Sequence, residues 1–227
     1  MKAFFRERGL GLATITLIML VISAAQSAIS YTMTVGALRH YLPDYLFGVA
    51  HGLVLIRCLC IATIVGLWLL KRRERLLQLM IVANALFTVA LLGHTAALIA
   101  TLFASVDEAI GALMVDISLM VVSNILVFSI WYWIIDAPVV TSTPRADKPW
   151  DFLFPQRASS LPHYESWVPR YSDYLYLAFT TSFAFSPTDT LPLTRRAKML
   201  MLLQSVISVV TLTGIAGGAI NILAGRK

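Results

Sequence analysis

Charge is scarce in this chain: 13% of its 227 residues are Asp, Glu, Lys or Arg, against 58% hydrophobic residues. A soluble domain carries about a quarter charged residues because its surface faces water. With a mean hydropathy of +0.77 that class is excluded, and an integral membrane protein is expected. Cysteine is nearly absent. Cys58 and Cys60 are the two; lying two apart in an apolar run, they face different sides of a helix and form no bridge, so they say nothing of redox compartment. Catalytic signatures are missing as well: there is no Gly-x-Ser-x-Gly, no His-Glu-x-x-His and no phosphate-cradling glycine loop. The histidines are scattered, at 40, 51, 94 and 163. Neither an enzyme nor a cofactor is expected. A net charge of +6 does not imply nucleic acid, because the basic residues cluster at the ends of apolar runs, where membrane topology accounts for them.

What the chain has is long apolar runs. Crossing a bilayer takes roughly 20 residues, and runs of that length occur near 10–31, 45–70, 76–103, 110–135 and 197–223. The expected fold is an all-α polytopic membrane protein with five transmembrane helices. The first run, preceded by Lys2, Arg6 and Arg8 and offering small residues for cleavage at Ala25-Gln26-Ser27, resembles a signal peptide. It is longer than the usual apolar segment of about 7–15 residues, which favours a retained helix. Three regions are expected: a four-helix bundle over 1–135, an irregular linker over 136–173 that holds six of the nine prolines, and a C-terminal unit over 174–227. With the N-terminus in the cytoplasm, fourteen Lys and Arg fall inside and three, Arg39, Arg226 and Lys227, outside. The positive-inside rule therefore predicts a cytoplasmic N-terminus in a plasma (inner) membrane.

The segment "FTTSFAFSPTDTLPLTRRAK", residues 179–198, breaks the pattern. Residues 174–185 make a helix of only about 18 Å against a core of about 30 Å, and Pro187 stops it from continuing. Two forms suit it: a re-entrant half-helix before the last span, with Ser172 or Asp173 as N-cap, or an amphipathic helix lying flat at the interface. Thr180, Thr181 and Ser182 suit lipid poorly, which favours the re-entrant form.

Tyr176, Phe179, Thr181, Asp189, Pro192, Thr194 and Arg196, followed by a long apolar helix, resemble the pore module of cation channels related to potassium channels. The resemblance covers about 50 residues of the C-terminus. The segment is also similar to uncharacterised bacterial membrane proteins with an AFSPTD-like core. The resemblance implies a cation path lined by Thr180, Thr181, Ser182, Ser186, Pro187, Thr188 and Asp189, in a homo-oligomer, by analogy a tetramer, that conducts monovalent cations. Ala184-Phe185-Ser186-Pro187-Thr188 replaces the glycine-containing filter, so selectivity would rest on the Ser186 and Thr188 hydroxyls and the Asp189 carboxylate. The predicted topology also places this loop on the cytoplasmic side, inverted relative to potassium channels. Asp189 has a competing reading as a cap of the last helix or a partner of Arg195 and Arg196.

A second constellation lies in the other spans. Arg57 falls near mid-membrane, and His51, His94 and Asp116 in the outer third of their helices. Ionisable residues at such depth normally have a partner, and Asp116 is the natural one for Arg57. The group reads as a proton relay or ligand pocket, or as hydrogen bonds that hold helices together. Its spacing does not suit a metal. Gly214 and Gly218 form a Gly-x-x-x-Gly pair that lets the last helix approach a neighbour, in the same chain or another. A scaffold without transport is the remaining alternative to a channel or an intramembrane site.

Overall fold

The structure, a computed structural model, describes residues 12–32, 73–104, 110–136, 150–159, 167–184 and 189–224, with residue 164 and scattered positions between 52 and 66. The long elements are helices because a bilayer offers no water to backbone amides and carbonyls, so each apolar run must satisfy its own. They are α1 (Leu12–Thr32), α2 (Arg73–Ala104), α3 (Ile110–Ile135) and α6 (Arg195–Ala224). Among the described residues these four are long and apolar enough to cross a membrane. The chain is a mostly helical, multi-pass membrane protein. The remaining expected span, 45–70, lies largely outside the described residues, though those described between 52 and 66 are helical.

Between α3 and α6 come β1 (Phe152–Leu153), the single turn α4 (Pro155–Ala158), α5 (Tyr171–Ala184) and β2 (Leu191–Pro192). The strands pair antiparallel, Phe152 opposite Pro192 and Leu153 opposite Leu191. Helix α3 is the hub, packing against α1, α2, α5 and α6. One apolar cluster joins Ile15, Met19 and Ile22 of α1, Met80 and Phe87 of α2, Phe128 and Trp133 of α3, Phe152 of β1, Leu177 of α5 and Met201 of α6. The three expected regions therefore share a core.

Part of the expected linker is folded. Residues 150–159 cap one end of the bundle, with Phe152 and Phe154 buried. Phe152 lies edge-on to Tyr132 at 5.1 Å, and Phe154 edge-on to Tyr174 at 5.5 Å. Sequence patterning missed this because an aromatic run with prolines has no helical or strand period; its apolar partners sit on α3 and α5.

The glycine pair of α6 packs within the chain. A Cβ on Gly214 would stand 3.1 Å from Ile117 Cδ1, and one on Gly218 would stand 2.0 Å from Met114 Cε. Small residues here let α6 lie close on α3.

Candidate functional site

Helix α5 has 14 residues, about 21 Å of helix, and runs along α3. It starts one residue before the expected caps. Asp173 is in its first turn and accepts a 2.6 Å hydrogen bond from Arg170 N–H, the reach-back half of a capping box. Near this start, Tyr174 donates to Asp136 Oδ2 at 2.6 Å, just past the end of α3. Near its other end, Ser182 meets Asn124, in the middle of α3. The Tyr171 hydroxyl and Ser129 Oγ share a 2.6 Å hydrogen bond that ties the first turn of α5 to α3.

The tip of α5 enters a buried polar knot. Gln204 Nε2 donates to Ala178 O and to Ser182 Oγ, both at 2.7 Å, and its Oε1 accepts from Tyr132 Oη. Asn124 Nδ2 donates to Ser208 Oγ at 2.8 Å and lies 3.4 Å from Gln204 O. Ser182, Asn124, Gln204, Ser208 and Tyr132 are all buried. Three helices are tied together by side chains 22 to 84 residues apart in the chain.

Of the expected path-lining residues, Thr181 and Ser182 are buried and face α3 and α6. Thr181 Oγ1 donates to Leu177 O at 2.7 Å, and Thr180, half-buried, donates back along its own helix. The outward face of α5 carries Tyr176, Phe179 and Phe183, each about half exposed. Asp189 is exposed and accepts from Thr190 at 3.3 Å. Ser186, Pro187 and Thr188 lie outside the described residues. Thr194 caps α6, accepting from Ala197 N–H at 3.3 Å, and Arg196 is held by Asp151, with Nε 2.6 Å from Oδ1.

Two buried carboxylates organise the end of the bundle where α5 starts. Asp136 accepts from the backbone amides of Asp151 and Phe152 at 3.1 and 3.3 Å, from Arg157 Nη1 at 3.1 Å and from Tyr174. Arg157 stacks over Trp150 at 3.6 Å. Asp151 accepts from Thr194 at 2.5 Å and from Arg196. Buried charge is tolerated here because each carboxylate is both paired and hydrogen-bonded.

At the opposite end of α3, the last turn of α1 gathers two members of the expected intramembrane cluster. His94 Nε2 lies 2.8 Å from Ser30 Oγ, and Asp116 Oδ2 accepts from Thr32 Oγ1 at 2.6 Å. Asp116 thus has a hydroxyl partner from α1; Arg57 and His51 lie outside the described residues. Among the described residues no group of three or more His, Cys, Asp or Glu could hold a metal. The roles of Asn124, Gln204, Asp136 and Asp151 were missed in the sequence. The first two carried a signal, being amides inside long apolar runs; the carboxylates looked like ordinary ends of a polar linker.

No protein-family model, curated protein or solved structure matches the chain.

Proposed function

We propose that the protein is a channel-like membrane protein in which α5 re-enters the bilayer and, with residues 185–192 and α6, lines a path for monovalent cations. The observation that carries this reading is the depth of α5. A helix too short to span ends beside Asn124, midway along α3, and the chain is back at the cap by β2. The C-terminal end of such a half-helix carries about half a negative charge, which favours a cation in the low-dielectric interior. The hydroxyls and amides of the polar knot add dipoles there.

The end where α5 enters also carries Arg157, Arg170, Arg195, Arg196 and Lys198, which supports a cytoplasmic placement of that end and of the N-terminus, in a plasma membrane. The aromatic outward face of α5 offers a surface to lipid or to further copies, a tetramer by analogy with pore-loop channels. The reading is tested by cation flux into liposomes holding the purified protein. Flux that falls and loses cation preference in Asp189→Asn, with unchanged melting temperature, supports it. No flux above empty vesicles sinks it. A second reading, an intramembrane site for a ligand or proton, is favoured by one observation, the Asp116 carboxyl buried beside Thr32.

A further inference from the structure

The outer face of α6 carries charge and apolar surface in a fixed order. Arg195, Met199, Leu202, Val206 and Val209 are all exposed, and their spacing of three and four residues sets them in one stripe along the helix. Buried Gln204 and Ser208 lie on the opposite side. Lys198, also exposed, flanks the head of the stripe, one turn from both Arg195 and Leu202. The stripe begins where the span Arg195–Ile220 begins, so the two cations stand at headgroup level and the apolar residues at the level of acyl chains.

These two cations are uncompensated within the chain. Among the described residues the ion pairs are Arg157 with Asp136 and Arg196 with Asp151, and the first turn of α6 holds no acidic residue. Asp151, the carboxylate that reaches this turn, has both oxygens engaged by Arg196 and Thr194. Like charges three residues apart on a helix repel each other, and the positive end of the helix dipole adds to the cost. The chain entering the helix brings further apolar surface: Leu191 and Leu193 are exposed, as is Trp150, whose neighbour Asp151 accepts from Leu193 N–H at 2.9 Å. Topology accounts for basic residues at this end of the bundle. It does not account for two of them left without a carboxylate at the head of an exposed apolar stripe.

We propose that the start of α6 binds an anionic phospholipid, its phosphodiester held by Arg195 and Lys198 and an acyl chain laid along Met199, Leu202 and Val206. The uncompensated charge selects an anion, and the apolar continuation of the same stripe selects a lipid over free phosphate. A zwitterionic headgroup fits less well, because it brings a cation of its own towards the two basic side chains. Trp150 suits the same interfacial depth. The proposal needs only that α6 spans a membrane, and the stripe faces away from the contact of α6 with α5 to which a cation path is assigned above.

The test is native mass spectrometry of the full chain in detergent micelles, titrated with dioleoyl phosphatidylglycerol or with dioleoyl phosphatidylcholine. The glycerol lipid should be retained in preference to the choline lipid, and its apparent affinity should fall about fivefold in Arg195→Gln and about fivefold in Lys198→Gln. Lys198→Arg keeps the charge and should keep the preference. Both side chains are exposed, so the melting temperature in detergent should not change. Glycerophosphoglycerol, the same headgroup without acyl chains, should not displace the lipid at equal concentration. Arg170→Gln removes an exposed charge from the end of the bundle where α5 starts and should leave retention unaltered. Equal retention of the two lipids overturns the proposal. So does an equal loss in Arg170→Gln, which would mean diffuse surface charge, or displacement by glycerophosphoglycerol, which would mean a site for free anions.

Discussion

Asp136→Asn is the sharpest probe of the cap that positions α5. The substitution keeps the shape of the side chain and one oxygen, which continues to accept from the Asp151 and Phe152 amides. It places an NH2 where Oδ2 faced Arg157 Nη1 and Tyr174 Oη. Arg157 cannot leave easily, being bonded at 2.8 Å to Phe152 O and stacked on Trp150. A guanidinium with 7% side-chain exposure is then left opposite another donor. Removing one partner of a buried pair costs about 3–5 kcal/mol, and a hydrogen bond to a charged group about 1.5–3 kcal/mol. Because Tyr174 can turn to accept from the new amide, the lower end applies, about 3 kcal/mol. The assay is reversible unfolding in mixed detergent micelles, run as a cycle with Arg157→Met. Taking away the stranded cation should return part of the loss, so the double variant is more stable than the sum of the singles implies, by about 1 kcal/mol or more. A loss below about 1 kcal/mol for Asp136→Asn, with additive effects in the cycle, would refute the view of Asp136 as the keystone of the cap.

The other predictions concern the helix contacts and the topology. Gln204→Leu removes two donated bonds and strands the Tyr132 hydroxyl, and should cost about 2–3 kcal/mol by the same unfolding assay; adding Tyr132→Phe should recover part of it. Gly218→Ile should cost about 1–3 kcal/mol by pushing α6 off α3, whereas Gly217→Ala, which meets nothing within 4 Å, should be neutral or slightly stabilising; equal effects would mean the α3–α6 contact is misplaced. A cysteine at position 73 should react with impermeant maleimide only from the cytoplasmic side and one at 227 only from outside, and labelling of position 73 from outside would reverse the orientation.

Hydropathy and run length were enough for the sequence to establish the membrane class, four of its five expected long helices and the shortness of the segment around 174–185, since these depend on local composition measured against bilayer thickness. The glycine pair was equally legible as a close-packing face, though not which helix it would meet. Partnership was decided by the tertiary structure. Asp136 and Asp151 sit at the edges of an irregular stretch and become a cap only when Tyr174, Thr194 and Arg196 arrive from elsewhere. Asn124 finds Ser208 across 84 residues of chain, and Asp116 finds Thr32 across the same separation. A polar side chain inside an apolar helix announces that it needs a partner. Which partner it takes depends on how α1, α3, α5 and α6 are placed side by side, and that placement follows from packing over the whole bundle rather than from any local run of residues.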